Sequence, residues 1–174
     1  MPLNFEFKAK TSQPEQLESL VKSMHGLYKG EDKQTDTYFN VHHGRLKLRE
    51  GNIENALIHY HRENSKGAKK SEVLLYEHVP DKNLKDILIA SLGIKVVVDK
   101  RRKIYFIENV KFHFDEVDKL GSFVEVEAID RDGSIGLDKL AQQCNQYKEL
   151  FEIQEEDIIA ESYSDMVLNQ NVNT

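Results

Sequence analysis

Residues 4–10 alternate between apolar and polar side chains, and this period of two constrains the fold more than any other feature of the chain. One face of such a strand carries the apolar residues Phe5, Phe7 and Ala9. The other face carries an amide, an acid and two bases, in the order Asn4, Glu6, Lys8 and Lys10. The apolar face is suited to a core, but a purely structural strand has no need of this pattern of charges. The sequence therefore predicts a strand whose charged face has a function of its own.

Similar strand-like runs recur along the chain, with helical periodicities at wide intervals. After residues 4–10, the runs cover residues 35–41, 45–50, 56–62, 71–79, 94–99, 101–107, 109–115 and 121–129. Helices are predicted from the capping box at residues 12–15 to about residues 26–30, from residue 81 to residue 93, from residue 134 to residue 151, and over residues 155–168. Residues 64–70 contain Gly67 and three lysines, which predicts a mobile loop.

The number and composition of these strands favour a closed sheet. About eight short strands joined by tight turns are typical of an antiparallel α+β domain. The strands are too rich in Val, Ile and Phe to form an open sheet with one face in water. Closure removes the exposed edges and turns the charged faces toward a wet interior. The sequence therefore predicts an α+β fold, an eight-stranded antiparallel β-barrel or tunnel with helices packed outside.

The length, net charge and cysteine content of the chain limit the classes of function that it can have. At 174 residues the chain suits one domain, which we place at residues 1–168, followed by a polar C-terminal tail at residues 169–174. The net charge of −6 gives no general attraction to nucleic acid. Cys144 is the only cysteine, and the sequence has no apolar run long enough to cross a bilayer. We therefore expect a cytoplasmic protein without a nucleic-acid or membrane partner. The sequence leaves open whether the protein forms a homodimer.

Most of the charged side chains that strand alternation is predicted to turn inward are cations. The inward cations are predicted to be Lys8, Lys10, Arg45, Lys47, Arg49, Arg62, Lys100 and Arg102. Six or more cations in a space of low dielectric would repel one another by on the order of several kcal/mol unless anions filled that space. A polyanion such as a triphosphate is the natural occupant.

Acids are predicted to share the same interior. They are Glu6, Asp115, Glu125 and Glu127. Carboxylates are the hard oxygen ligands that Mg²⁺ or Mn²⁺ prefers. A divalent ion between carboxylates and phosphate oxygens would explain why acids and bases occur together, so we expect Mg²⁺ or Mn²⁺ as a cofactor.

An ordered set of motifs resembles a known family. The pieces are, in chain order, Glu6-x-Lys8, Gln34-x-Asp36-x-Tyr38-Phe39, Leu46-Lys47-Leu48-Arg49-Glu50, Leu57-Ile58-x-Tyr60-x-Arg62, Lys69-x-Ser71, Lys100-x-Arg102, the acidic segment from Asp115 to Glu127, and Glu161-Ser162-Tyr163-Ser164-Asp165. Together they resemble the CYTH, or triphosphate tunnel metalloenzyme, superfamily. They are most similar to its class IV adenylate cyclase branch, whose relatives include thiamine triphosphatase and inorganic triphosphatases.

The resemblance implies a tunnel that binds a nucleoside triphosphate, tripolyphosphate or thiamine triphosphate with Mg²⁺ or Mn²⁺. The residues implied to bind phosphate are Lys8, Lys47, Arg49, Arg62, Lys69, Lys100 and Arg102, with Lys69 closing over the substrate from the mobile loop. The implied metal ligands are Glu6, Asp115, Glu125 and Glu127, and the implied catalytic residues are Lys8, Lys100, Arg102 and Asp115. In a cyclase the ribose 3′-hydroxyl would attack the α-phosphorus as pyrophosphate leaves, and in a triphosphatase a positioned water would attack the γ-phosphorus.

The chain departs from the family at Asn4. The family signature is Glu-x-Glu-x-Lys, whereas this chain has Asn4-x-Glu6-x-Lys8. An asparagine carbonyl can bind a metal or a metal-bound water but brings no charge, so one metal is expected to bind more weakly. Three interpretations stay open: first an adenylate cyclase-like enzyme, second an inorganic or organic triphosphatase, and third a triphosphate-binding protein that has lost turnover.

The same residues also have purely structural interpretations. A single strand with alternating charge is usually a solvated sheet face, but sheet architecture alone does not predict this order of motifs. His59 and His61 share a strand face and are expected to form an outward surface pair rather than a metal site, given the hard ligands elsewhere. Cys144 lies on the apolar face of its helix and is expected to be a small buried hydrophobe.

Overall fold

The computed structural model of the chain describes residues 2–62 and 67–172, apart from the side chain of Arg62, and these residues contain eight strands and four α-helices. The strands are β1 (Leu3–Lys10), β2 (Leu27–Phe39), β3 (Arg45–Glu50), β4 (Asn55–Arg62), β5 (Lys69–Glu77), β6 (Ile94–Ile107), β7 (Val110–Val117) and β8 (Gly121–Asp130). The helices are α1 (Pro14–Ser23), α2 (Lys82–Leu92), α3 (Leu137–Leu150) and α4 (Tyr163–Val172), with a 3₁₀ turn at Glu155–Asp157.

All neighbouring strands pair antiparallel, in the order β1-β5-β4-β3-β2-β6-β7-β8, and β8 returns to β1. The β1–β8 pairing runs over the whole of β1, from Leu3 opposite Asp130 to Lys10 opposite Phe123. On its other side, β1 pairs with β5 only from Leu3 to Glu6. The predicted closed barrel with helices outside is confirmed.

Two strands are longer than the sequence suggested. β2 begins at Leu27 rather than at residue 35, and the runs predicted at residues 94–99 and 101–107 form the single strand β6. The reason is their mutual pairing, which extends from Leu27 opposite Phe106 to Phe39 opposite Ile94. Long-range ladder bonds therefore override the weak local strand preference of the polar segment around residues 30–34.

Several helix boundaries also differ from prediction, including the start of α3, which lies at Leu137 rather than at residue 134. α1 ends at Ser23, because His25 adopts a positive φ of 63° and the chain turns into β2. The segment predicted as one helix over residues 155–168 is a 3₁₀ turn followed by α4. α4 continues to Val172, so residues 169–172 are helical rather than a frayed tail, and residues 173–174 lie outside the described part. None of the described helices is long and apolar enough to cross a membrane.

Two apolar clusters hold the barrel and its helices together. The larger lies between the outer barrel face and the helices α1 and α3, and its fully buried members include Phe7, Phe112, Val126 and Leu140. Cys144 is buried in this cluster, as predicted. The second cluster joins Phe123 and neighbouring strands to Tyr163 and Val167 of α4. Burying each large side chain contributes roughly 1.5–3 kcal/mol, so the outward faces stabilise the barrel while the inward faces stay available for charge.

Candidate functional site

A cavity of about 660 Å³ lies inside the barrel and is lined mainly by the alternate residues of its strands. Its charged lining includes Glu6, Lys8, Lys47, Arg49, Glu54, Lys100, Arg102, Lys111, Glu125, Glu127 and Arg131. The alternation of β1 places Asn4, Glu6 and Lys8 here, while Phe7 and Ala9 pack in the outer core. Most of the predicted site residues are therefore brought together, although they come from strands far apart in the chain.

Asp36 anchors three of the cations. Its carboxylate accepts hydrogen bonds from Arg49 Nε and Nη2 at 2.9 and 2.8 Å and from Lys100 Nζ at 2.7 Å. Lys47 Nζ lies 3.4 Å from the same carboxylate. Burial alone would raise the pKa of Asp36, but the three cations hold it well below its usual range. Asp36 is therefore an anion that fixes the cations in place beside the cavity.

Lys100 is a cation whose burial weakens its hold on its proton. Its side chain is 1% exposed. Burial, with the nearby Arg49, Arg102 and Lys47, lowers the pKa of Lys100 to about 7, although Asp36 opposes the change. An anion entering the cavity would favour the protonated form.

Arg102 is held in a second buried ion pair. Its Nε and Nη2 atoms each donate to Asp115 at 2.7 Å, and the Tyr163 hydroxyl donates to Asp115 Oδ2, also at 2.7 Å. Burial opposes the ionised carboxylate, but Arg102 lowers the pKa of Asp115 to about 2. Among the described residues, Asp115 is not part of the cavity lining. It therefore lies behind Arg102 and presents the guanidinium to the cavity.

A further ion pair, between Lys111 and Glu54, was not anticipated from the sequence. Lys111 Nζ lies 2.5 Å from Glu54 Oε2, and Glu54 Oε1 also accepts from Gln34 at 2.9 Å. Burial opposes ionisation, yet Lys111 and Arg49 lower the pKa of Glu54. Asp32 fixes the turn that carries Glu54, because its carboxylate accepts from the backbone N–H groups of residues 53 and 54.

Three acids of the cavity lining come from the paired strands β1 and β8. Glu6 lies opposite Glu127 in the β1–β8 ladder, and Glu125 follows two residues away on the same face of β8. The Asn4 amide donates to the Glu127 carboxylate. Burial and the neighbouring Glu6 and Glu125 raise the pKa of Glu127 to about 7, although Lys111 opposes the change. The carboxylates of Glu6, Glu125 and Glu127 together form an oxygen donor set that fits Mg²⁺ or Mn²⁺.

One wall of the cavity is apolar. Ile58 on β4 and Val73 and Leu75 on β5 contribute to the lining. Tyr38 and Tyr60 continue this wall, and Lys47 Nζ lies 5.5 and 5.2 Å from the centroids of their rings. The cavity is therefore suited to a ligand that has both anionic and apolar parts.

The C-terminal segment contacts the barrel at the Lys8 end of the cavity. Lys8 Nζ lies 3.7 Å from the centroid of the Tyr163 ring, and Ser162 and Tyr163 line the cavity. Arg45 Nη2 lies 2.7 Å from Asp165 Oδ2. Arg45 therefore ties down α4 and is not among the residues that line the cavity, contrary to the inward position expected for it.

Lys69 is not a loop residue. It is the first residue of β5, opposite Glu6 of β1, and its Nζ donates to the Ala160 carbonyl at 2.7 Å. Its predicted position in a mobile loop is wrong, because pairing with β1 extends the strand. Lys69 is also absent from the cavity lining of the described residues, as is Lys10, which is exposed at the end of β1.

Two predictions lie partly or wholly outside the described residues. The remainder of the predicted mobile loop includes residues 64–66, which are not described. Arg62 belongs to β4, but its predicted contact with phosphate concerns a side chain outside the described part.

The sequence already indicated an inward position for Lys111, although Lys111 was not assigned to the site. Lys111 has the same strand parity as His113 and Asp115, so the alternation of β7 already turned it inward. Glu54 lies in a turn, where no periodicity applies. The roles of Asp36 and Tyr163 as partners of Arg49 and Asp115 depend on strand order and on the position of α4.

Comparisons with known proteins agree with this geometry. The family model described as the CYTH domain matches residues 3–163. No curated protein matches the chain. Among solved structures, a Pyrococcus horikoshii protein is 21% identical with a TM-score of 0.74, over 93% of this chain and 98% of that one.

Two other solved structures carry a description of activity. A Vibrio parahaemolyticus protein proposed to be an adenylate cyclase is 17% identical with a TM-score of 0.73, over 95% of this chain and 97% of that one. A proposed adenylyl cyclase from Hippeastrum, described as having a dominant triphosphatase activity, is 13% identical with a TM-score of 0.61, over 98% and 96% of the two chains. At these identities the likeness establishes the fold alone.

Proposed function

Because the chain belongs to the CYTH domain family, we propose that it is a divalent-metal-dependent enzyme acting on a triphosphate, most like an adenylate cyclase that converts ATP to cyclic AMP and pyrophosphate. The observation that carries this proposal is the set of cations around one cavity. Lys8, Lys47, Arg49, Lys100 and Arg102 all line it. Five cations held around one cavity offer the positive charge and hydrogen-bond donors that bind a polyanion such as a triphosphate.

In this proposal the cations bind the phosphate chain of the substrate. Asp36 and Asp115 hold Arg49 and Arg102 in fixed positions, so their guanidinium groups lose little side-chain entropy on binding phosphate. Lys8, Lys47 and Lys100 add compact charges. Phosphate binding by Arg62 and Lys69 stays a prediction, and for Lys69 it would require release from the Ala160 carbonyl.

Glu6, Glu125 and Glu127 would hold the divalent metal. A bound Mg²⁺ or Mn²⁺ would supply positive charge beside the phosphate oxygens. Asp115 is a less available ligand, since both of its oxygens already accept hydrogen bonds. Its proposed contribution to catalysis is therefore to hold Arg102 in position.

For cyclisation, the bond from the ribose O3′ to the α-phosphorus forms while the bond from the α-phosphorus to the bridging oxygen of pyrophosphate breaks, and the proton of the 3′-hydroxyl passes to water. Lys8, Lys100 and Arg102 would stabilise the charge that develops on pyrophosphate. The apolar wall of Ile58, Val73 and Leu75 favours an organic triphosphate such as ATP over tripolyphosphate, because an inorganic chain would leave that wall unpartnered.

The second candidate is a triphosphatase acting on tripolyphosphate or thiamine triphosphate. The same cations would hold the phosphates, and the polar lining around Glu54 and Lys111 could orient a water for attack on the γ-phosphorus. The third candidate is a binding protein without turnover, which the uncharged Asn4 favours. The proposal also includes a cytoplasmic location, a single domain whose C-terminal limit moves from residue 168 to the end of α4 at Val172, and no nucleic-acid partner.

A product assay separates these candidates. The protein would be incubated with ATP, tripolyphosphate and thiamine triphosphate, each with Mg²⁺ or Mn²⁺, and the products resolved by chromatography. Cyclic AMP with pyrophosphate supports the cyclase, and free phosphate supports the triphosphatase. Binding without any product would reject both enzymatic functions.

A matched pair of lysine variants tests whether the cavity is the site. Lys8→Met removes a cavity cation, whereas Lys10→Met removes an exposed one from the same strand. We expect a loss of about tenfold or more in kcat/KM for Lys8→Met and less than about twofold for Lys10→Met. Equal losses of kcat/KM in the two variants would place the reaction outside this cavity.

A further inference from the structure

His113 is a buried imidazole that the charge pattern of the cavity does not explain. It lies on β7 and is 3% exposed. Neither Nδ1 nor Nε2 has a hydrogen-bond partner among the described residues. A buried polar side chain without a partner costs free energy, so its retention calls for a ligand or a function.

The imidazole lies beside one of the acids, Glu125, at a carboxylate oxygen that Lys8 and Arg102 also approach. His113 lies opposite Glu125 in the β7–β8 ladder, and its Nδ1 lies 3.6 Å from Glu125 Oε2. Two ligand atoms of one octahedral ion with bonds of about 2.1 Å lie about 3.0 Å apart when adjacent and about 4.2 Å apart when opposite. The observed separation falls within that range, so one ion could contact both atoms with little movement.

Asp115 also lies near His113 and Glu125, but both of its carboxylate oxygens already accept hydrogen bonds. Potential ligand atoms of His113, Asp115 and Glu125 lie within 4.8 Å of one another. Asp115 accepts from Arg102 and Tyr163, whereas both nitrogens of His113 lack a hydrogen-bond partner in the described part of the chain. The imidazole is therefore the more available of these two groups beside Glu125.

We propose that His113 is a nitrogen ligand of the divalent-metal site, next to Glu125, and that it makes the site select Mn²⁺ or a similar divalent transition ion over Mg²⁺. The chemical reason is that imidazole nitrogen suits transition ions, while Mg²⁺ is bound almost entirely by oxygen. This inference rests on the metal dependence proposed above and goes beyond it by naming a ligand and a preference.

The test uses Mn²⁺ alone, without a triphosphate. Electron spin echo spectroscopy of the Mn²⁺-loaded protein detects a directly bound ¹⁴N, and titration by electron paramagnetic resonance gives the Mn²⁺ affinity. We expect ¹⁴N modulation in the wild-type protein and its loss in His113→Leu, which replaces the imidazole by an apolar side chain of similar size. Mn²⁺ affinity is expected to fall about tenfold and Mg²⁺ affinity, measured by competition, by less than about twofold.

A second histidine variant is the matched control. His78 also lines the cavity, and its Nε2 is likewise buried without a hydrogen-bond partner in the described residues. His78→Gln is expected to keep the ¹⁴N modulation, and loss of the signal in this variant would overturn the assignment to His113.

The wild-type spectrum is decisive even if a variant fails to fold. Bound Mn²⁺ without ¹⁴N modulation would overturn the role of His113 and leave the proposed metal dependence intact. Failure of the wild-type protein to bind Mn²⁺ at all would overturn both.

Discussion

Asp36 shows how one residue determines the charge of the site. It is 1% exposed and contacts Arg49, Lys100 and Lys47, three cations that come from two other strands. A buried cation that loses its anion is far less stable than either an intact ion pair or an apolar replacement. The strength of anion binding in the cavity therefore depends on a carboxylate that does not line it.

Asp36→Asn is expected to destabilise the protein by about 3–5 kcal/mol, because it leaves buried positive charge uncompensated. Urea unfolding measures the change. Tripolyphosphate should recover more stability in this variant than in the wild-type protein, since it supplies the missing negative charge. A loss below about 1 kcal/mol would show that the three cations do not depend on Asp36.

The lowered pKa of Lys100 predicts that anion binding is coupled to protonation of the Lys100 side chain. With a pKa of about 7, Lys100 is mostly neutral at pH 8 in the free protein, and a bound triphosphate would raise its pKa. Binding at pH 8 should therefore take up close to one proton, and affinity should fall as pH rises above 7. Calorimetry in buffers of different ionisation enthalpy measures the uptake.

Lys100→Arg is the control for that experiment, because a guanidinium keeps its proton throughout this range. The variant should bind tripolyphosphate without the Lys100 proton uptake. An unchanged uptake would assign the proton to another group.

Asn4 is the position where the chain departs from its family, and the contact of its amide with Glu127 places it beside the acids. Asn4→Glu should tighten Mn²⁺ binding by about tenfold, since it adds a charged oxygen ligand. Affinity for tripolyphosphate without metal should change little. Metal titration followed by calorimetry checks both, and an unchanged metal affinity would remove Asn4 from the metal site.

At the scale of elements, α4 is held to the barrel by contacts from three different strands. Lys69 donates to the Ala160 carbonyl just before α4, Arg45 pairs with Asp165, and Tyr163 donates to Asp115. A helix of only ten residues has little stability by itself, so these tertiary contacts, with the burial of Tyr163 and Val167, keep it in place. The position of α4 in turn fixes Tyr163 at the cavity.

The Arg45–Asp165 pair is the part of this attachment that can be tested without altering the cavity lining. Its side chains are 19% and 24% exposed, so partial solvent screening limits the coupling to about 1 kcal/mol. A double-mutant cycle of Arg45→Ala and Asp165→Ala, read by urea unfolding, measures it. The single variants should also raise hydrogen exchange in residues 163–172, and a coupling near zero would mean that other contacts hold α4.

At the scale of the whole molecule, the barrel separates two kinds of environment. The chain has a net charge of −6, yet its cavity carries a concentration of buried cations. Strand alternation makes this separation possible, because most strands send apolar residues outward and charged residues inward, while β4 and β5 supply the apolar wall of the cavity. The ion pairs with Asp36 and Asp115 already offset part of the charge of these cations, and a bound anion is expected to offset more of it.

Tripolyphosphate is therefore expected to stabilise the entire barrel against unfolding. At about 100 times its Kd it should add roughly 2.7 kcal/mol, because it binds the folded state and not the unfolded chain. Thermal unfolding with increasing tripolyphosphate measures the effect, and sodium chloride at equal ionic strength is the control. Equal shifts with both would indicate general screening rather than a bound ligand.

Much of the fold and of the candidate site could be predicted from local patterns. β3 was predicted with its observed limits, and the residue pairs Lys100/Arg102 and Glu125/Glu127 were correctly placed on shared inward faces. The long strands β2 and β6 were missed because each depends on the other for its hydrogen bonds. Lys69 was misplaced for a similar reason, since its strand exists there through pairing with β1.

The sequence by itself determined which side chains share a face, and hence that acids and bases would meet inside a closed sheet, because side-chain alternation is a property of each strand alone. Only the tertiary structure decided which charges pair, as in Lys111 with Glu54 and Tyr163 with Asp115, 57 and 48 residues apart in the chain. It also placed the imidazole of His113, which has no hydrogen-bond partner within the described ranges, beside Glu125. Such contacts depend on strand order, register and helix docking, which arise from the whole chain and leave no period in the sequence.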